Sequence, residues 1–450
     1  MQKLLGTLVV GVLAGCAHGP SVKDESRCLR LAKQAGEWLA SVAIEEKDGL
    51  RWPVAPGSDE KSSVSLYYGA PGVISFFLEL HAVTGDPAWR AMAERGARWL
   101  AAQASPDLAY GGLFWLIDDE KRAHTADPGF YSGIAGIGAT FLELHRLVPD
   151  GGYARYARGA ADWLAASDSW KAVNDVISGA AGVGLFFLQA AEQLKEPQYR
   201  EAAIRAGDFL LGQAMHEERG VRWRMSKEQP RLYPNFSHGT SGVAFFLAAL
   251  ARRTGEKRFH AAALEAVEWL KAKRCATETG AVWYRHEPDA KELYYPGWCH
   301  GPAGTARLFY ELHRATGDAE WMQWVRECAR WIVNSGIPEK RIDGFWNVSV
   351  CCGTAGVGEF FADLFRLTGD PEYRRRADAM VADLERRATP GPRGLKWLQA
   401  ENRVSPDQLA AQTGYAQGAA GIGLFFLKMH ALETGRPFAP RLADNPFLDE

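Results

Sequence analysis

The chain has 450 residues, 47% of them hydrophobic and 24% charged, the balance of a folded protein able to bury a large core. Its formal net charge of -2, with no long run of Lys and Arg, argues against a nucleic-acid partner, which needs a basic face.

The first sixteen residues differ in kind from the rest. Lys3 provides a positive start, residues 4–13 are mostly apolar, and Leu13-Ala14-Gly15-Cys16 follows. Such a run is too short to span a membrane as a mature helix and reads as an export signal. The tetrapeptide resembles the lipobox of bacterial lipoproteins, in which the cysteine is lipidated and becomes the first mature residue. That resemblance implies a lipoprotein signal peptide over residues 1–15, a tether over 16–25 and one folded domain over 26–450. It also implies a protein of the cell envelope, on the periplasmic or outer-membrane face, held to the membrane by a lipid on Cys16. An ordinary signal peptide cut nearby, or a cytosolic protein with a misread start, is the alternative.

From residue 27 the pattern becomes helical, and residues 27–42 predict a first outer helix. A Gly-x-x-Gly loop leading into an apolar helix then recurs seven times, starting at Gly69, Gly133, Gly179, Gly239, Gly301, Gly353 and Gly418. Gly-x-x-Trp elements starting at Gly49, Gly112, Gly220, Gly280 and Gly394 predict short extended connections. The apolar helices often end in Thr-Gly, as at Gly85, Gly255, Gly317, Gly369 and Gly435, where glycine is the expected stop. An amphipathic helix follows each, such as residues 89–100.

A helix apolar nearly all round is buried, and a half-polar partner covers it. The expected fold is therefore all-α: an α/α toroid, a double-layered helical barrel of seven helical-hairpin repeats. An open solenoid would want polar caps on its end repeats, yet the last inner helix, residues 421–429, is as apolar as the others. The glycine loops gather at one end of such a ring, so unusual residues in them meet over the central hole.

The residue before each first loop glycine is Tyr68, Ser132, Ser178, His238, His300, Cys352 and Gln417 in turn. One position earlier stand Tyr67, Tyr131, Ile177, Ser237, Cys299, Cys351 and Ala416. Three cysteines and two histidines thus share two loop positions of repeats four to six. By contrast, His81, His145, His313 and His430 recur in register at the far ends of inner helices and read as scaffold. Cys28, Cys275 and Cys328 lie in or beside outer helices and read as small packing residues.

An even number of cysteines beyond Cys16 invites disulfides in an exported protein. Cys351 and Cys352 are neighbours, however, and ordinary bridges need Cα atoms ~4.4–6.8 Å apart in a suitable orientation. Two ligands of one metal explain them better. Cys299, Cys351 and Cys352 fit zinc, which favours tetrahedral sulfur and nitrogen ligands; an open fourth position marks a catalytic site and a filled one a structural site. His300 as fourth ligand would close the site, and disulfide or idle thiols remain alternatives.

Trp298-Cys299-His300-Gly301, Cys351-Cys352-Gly353 and Ser237-His238-Gly239, set on seven Gly-x-x-Gly repeats, resemble the lanthionine synthetase C-like proteins. The resemblance covers nearly the whole chain after the lipobox. It implies a zinc-dependent toroid that adds a cysteine thiol across a dehydroalanine or dehydrobutyrine residue, forming a thioether in a peptide. By position, it implies Cys299, Cys351 and Cys352 as zinc ligands, the third replacing a common histidine as in a Cys-Cys-Gly subset of cyclases. It implies His238 as acid or base and Asp175 as the acidic residue of the site. His300 stands where tyrosine is common and is a second acid–base candidate. An arginine usual shortly before the first cysteine is replaced here by Tyr294-Tyr295-Pro296-Gly297.

The expected partners are a peptide or small thiol substrate, with the chain acting as a monomer. A non-catalytic, zinc-containing peptide- or lipid-binding toroid is the rival reading. A carbohydrate-active toroid would need paired carboxylates, and the loops offer only Asp175.

Overall fold

The computed structural model of the chain describes residues 25–57, 59–119, 122–275, 279–438 and 442–448. The apolar start, the lipobox with Cys16 and most of the tether lie outside the described residues.

Among the described residues, fourteen α-helices alternate between two layers. The outer layer holds α1 (Arg27–Ser41), α3 (Pro87–Ala102), α5 (Ala154–Ala166), α7 (Pro197–Gly212), α9 (Lys257–Lys273), α11 (Ala319–Ser335) and α13 (Pro371–Arg387). The inner layer holds α2 (Ala70–Thr84), α4 (Ile134–Leu147), α6 (Ala180–Leu194), α8 (Thr240–Thr254), α10 (Pro302–Thr316), α12 (Thr354–Thr368) and α14 (Ala419–Thr434). Each inner helix packs on the next, and α14 returns to α2 while α1 packs on α14. The ring is closed, an α/α toroid of seven repeats. No helix among the described residues is long and apolar enough to cross a membrane.

Local chemistry sets each hairpin. Gly85, Gly255, Gly317, Gly369 and Gly435 adopt the left-handed conformation that ends their inner helices. Asp86, Asp318 and Asp370 then cap the following outer helices, each side chain accepting from a first-turn N–H at 2.9 Å. Two of the four in-register histidines serve this turn: Nδ1 of His81 and of His313 lies 2.9 Å from the carbonyls of Asp86 and Asp318.

The Gly-x-x-Trp elements stitch the layers together. The buried indoles of Trp52, Trp115, Trp223, Trp283 and Trp397 donate to the carbonyls of Leu39, Leu100, Leu210, Leu270 and Leu384, at the ends of the preceding outer helices. The last of these elements closes the ring. Gly394 has a φ of +62°, and a Cβ there would lie 2.0 Å from the Gln34 carbonyl of α1, so only glycine lets the seventh connection lie against the first helix.

A second closure runs through the loops. Backbone N–H groups of Tyr67, Tyr131, Val176, Ser237, Cys299, Cys351 and Ala416 donate in turn to the carbonyls of Tyr131, Ile177, Ser237, Cys299, Cys351, Ala416 and Tyr67, at 2.9 to 3.2 Å. One hydrogen-bonded circuit thus links all seven loops and fixes where each loop side chain points.

Below that circuit, residues 442–448 fold back into the hole. Asp444 Oδ2 accepts from Tyr131 Oη at 3.0 Å, Trp298 Nε1 at 3.1 Å and Arg307 at 2.6 Å. A group that touches repeats two and five at once lies near the ring axis. Phe447 stacks on Tyr310 of α10, centroids 4.8 Å apart, and meets Phe360 of α12. A buried pair between Lys428 and Asp363, at 3.0 Å, completes the lumen, with Asn445 donating to Asp363.

Candidate metal centre

The loop circuit brings the three expected cysteines together. Cys299 N–H donates to Cys351 O at 3.1 Å, Cys351 N–H to Ala416 O at 3.0 Å, and Cys352 N–H to Ser349 Oγ at 3.1 Å. Their sulfurs converge: Cys352 Sγ lies 3.0 Å from Cys299 Sγ and 3.4 Å from Cys351 Sγ. All three potential ligand atoms lie within 4.8 Å of one another, close enough to share one ion. Cys299 and Cys351 are buried and Cys352 is partly exposed.

The donor set fits a soft divalent cation. Hydrogen bonds from Cys299 and Cys352 hold the Cys351 thiol well below its ordinary value. Burial, and the neighbouring Cys351, push Cys299 well above it. Cys352 is likewise raised by its hydrogen bonds to Cys299 and Cys351 and by burial. Three touching sulfurs cannot all ionise without a positive charge among them, and a metal ion supplies that charge.

The sulfurs line a cavity of about 370 Å³ that opens over the ring. His238 stands on the same wall, with Nδ1 donating to Asp175 Oδ2 at 2.5 Å. Asp175 is fully buried, and its other oxygen accepts from the Ser178 N–H at 2.8 Å. With the Asp175 carboxylate as acceptor, Nδ1 carries the shared proton and Nε2 is the ring nitrogen left for the cavity. Asp175 therefore both orients His238 and ties its own loop.

His300 lines the cavity but lies outside the three-sulfur group. Its ring stacks on Tyr233, centroids 5.4 Å apart, and lies 5.8 Å from His238. Burial, then the charges of His238 and Arg285, hold it neutral, well below the ordinary histidine value. Nδ1 of His300 has no hydrogen-bond partner among the described residues.

Two groups went unassigned from sequence. Arg285, in the extended connection after Trp283, lines the cavity with its guanidinium 5.4 Å from the Tyr295 ring centroid. A cation is thus present although Tyr295 holds the stretch where an arginine was looked for. Arg403 lines the same cavity. Their one sequence signal is a cation beside a repeat element, which many surface positions share.

The family model for lanthionine synthetase C-like proteins matches residues 60–440. The chain belongs to that family. This lanthionine synthetase C-like chain is 21% identical over 338 residues to Glutathione S-transferase LANCL1 of Danio rerio, covering 70% of this chain and 73% of the relative. Its structure is similar to that of nisin cyclase, with a TM-score of 0.57 at 17% identity over 83% of this chain and 90% of the other. The Lin0763 protein of Listeria innocua gives a TM-score of 0.52 at 11% identity, over 91% and 99% of the two chains. At these identities the structural likeness is one of fold.

Proposed function

We propose that this lanthionine synthetase C-like protein binds one zinc ion through Cys299, Cys351 and Cys352 and adds a thiol to a dehydroalanine or dehydrobutyrine residue, forming a thioether. The observation that carries the reading is the convergence of three thiols on a cavity that also holds the Asp175–His238 pair. Zinc with a vacant fourth position would hold the substrate sulfur as a thiolate, where a free thiol of pKa ~8.5 is mostly protonated at neutral pH.

The protein side chains handle the proton. His238 Nε2 accepts the thiol proton, and the imidazolium is stabilised by Asp175 across Nδ1. The sulfur bonds to the β-carbon, the carbon–carbon double bond becomes single, and His238 returns the proton to the α-carbon. General acid–base help of this kind is typically worth ~10²–10⁴ in rate. Neutral His300 faces the same space and supplies a second acceptor.

The name of the Danio rerio relative supports a small thiol as one source of the nucleophile. Arg285 and Arg403 favour a thiol or peptide that carries a carboxylate. The lipobox supports a place at the cell envelope, with a lipid on Cys16 as the membrane anchor and the ring as a monomer.

The test is to incubate zinc-loaded protein with a dehydroalanine peptide, carrying either an internal cysteine or an added carboxylate-bearing thiol, and follow free thiol and product mass. Thioether formation lost in His238→Ala supports the enzyme. Binding of the peptides without any product, at full zinc content, would leave a peptide-binding toroid.

A further inference from the structure

The far end of the ring, opposite the metal cavity, carries a second polar cavity of about 500 Å³ between α6, α8 and α10. Its wall holds four arginines, Arg200, Arg252, Arg253 and Arg314, and one carboxylate, Glu192. Arginine at a helix C-terminus is ordinary, because it complements the dipole. What is particular to this sector is a shortage of acids.

Ten residues after the first loop glycine, four of the seven inner helices carry a carboxylate: Glu79, Glu143, Glu311 and Asp363. α6 and α8 carry Gln189 and Ala249 there instead. Three residues further on, Arg146 of α4 and Arg314 of α10 each pair with the carboxylate of their own helix, at 2.5 and 3.3 Å. Arg252 stands at the same position of α8, whose own helix offers only Ala249, and it reaches to the next inner helix to pair with Glu311 at 2.7 Å. One buried carboxylate thus serves two guanidiniums. Nη2 of Arg252 is buried with no hydrogen-bond partner among the described residues. Arg200, from the first turn of α7, donates to the Arg253 carbonyl at 3.1 Å and pairs with no carboxylate among the described residues. Positive charge therefore exceeds what the protein neutralises in this sector.

We infer that this cavity is a second ligand site, one that takes a phosphate group. A guanidinium offers a planar fork of donors that matches two oxygens at once. Forks arriving from α7, α8 and α10 suit a tetrahedral oxyanion, which presents acceptors in more directions than a planar carboxylate. The site lies at the opposite end of the ring from the three thiols, and nothing in it depends on the metal reading.

Two sources carry that group, an anionic lipid headgroup and free phosphate, and the entry of the chain favours the first. Ser26 Oγ lies 2.8 Å from His430 Nδ1 near the end of α14, so the chain enters α1 at the same end of the ring as the arginines. A tether over residues 16–25 spans at most ~33–36 Å. A lipid on Cys16 would hold this end, and not the metal cavity, against a membrane. A headgroup in the arginine cavity then gives the ring a second hold, with the metal cavity opening away from the lipid.

The test is calorimetric titration of the full chain with two soluble probes, dihexanoyl phosphatidylglycerol below its micelle concentration and inorganic phosphate. Soluble probes make the result independent of whether Cys16 is lipidated. Saturable binding is expected, weakening as salt rises. It should be roughly 10–100-fold weaker in Arg200→Gln, the loss of a charge-assisted hydrogen bond. That variant should melt with the wild type, because Arg200 leaves no carboxylate behind. Tighter binding of the phospholipid than of phosphate assigns the site to a headgroup, and the reverse assigns it to free phosphate. No saturable binding of either probe, or binding as tight in Arg200→Gln as in the wild type, overturns the inference.

Discussion

Trp298 and Asp444 meet near the axis of the ring, the indole N–H donating to the carboxylate at 3.1 Å. Trp298 is the residue before Cys299, so the last described turn of the chain supports the first metal-ligand candidate from below. The same carboxylate is the counter-ion of Arg307, whose side chain is 9% exposed.

Asp444→Ala should therefore cost about 3–5 kcal/mol, the typical loss when one partner of a buried ion pair is removed. Chemical denaturation measures it. The double variant Asp444→Leu, Arg307→Met should recover most of that loss, since it leaves no buried charge unpaired.

The Asp175–His238 contact makes a different prediction. Asp175→Asn keeps the shape but offers His238 an amide in place of a carboxylate, so the imidazolium loses its partner. Thioether formation should fall by roughly 10²–10⁴, the usual worth of general acid–base catalysis. Metal content measured on the same sample should stay at the wild-type level. Loss of metal along with rate would place Asp175 in the scaffold alone.

Stability should depend on pH through His286. Burial, then the charges of Arg285 and Arg231, lower its pKa from 6.5 to about 4. The unfolded chain then binds this proton more readily than the folded one. The contribution of neutral His286 is fully present above pH 6.5 and is lost as pH falls toward about 4. Buried Glu359 pulls the other way, because burial raises its carboxyl. The readout is therefore the difference in melting temperature between wild type and His286→Phe. That difference should shift in favour of the variant between pH 7 and pH 4.

Ring closure is testable at Gly394. Gly394 and Gly85 are both left-handed, with φ of +62° and +71°, but a Cβ meets the α1 backbone only at Gly394. Gly85→Ala should cost ~1–2 kcal/mol, the general penalty for a side chain in that region. Gly394→Ala should cost clearly more, because it also wedges the seventh connection away from the first helix. Equal losses would mean that this contact does not hold the ring shut.

Much of this was legible in the sequence because it is local. A glycine loop, a buried helix, a Thr-Gly stop and an amphipathic helix are each dictated within a few residues, and seven copies repeat them. Cys299, Cys351, Cys352 and His238 stood out as exceptions in a fixed register, and the ring turns shared register into proximity. Asp175 was placed by family position, and its contact with His238 supplies the physical reason. Arg285 escaped because it sits in an extended connection outside the loop register. Asp444 escaped because its partners come from repeats two and five, and nothing local ties a tail to either.

The most direct test of the metal centre is zinc K-edge X-ray absorption on anaerobically purified protein, with metal content measured on the same sample. The account predicts about one zinc per chain with sulfur neighbours near ~2.3 Å. Both the metal and that sulfur shell should disappear in Cys351→Ala, Cys352→Ala. A wild type that takes up no zinc after reconstitution, or a zinc ringed by nitrogen and oxygen alone, would contradict it.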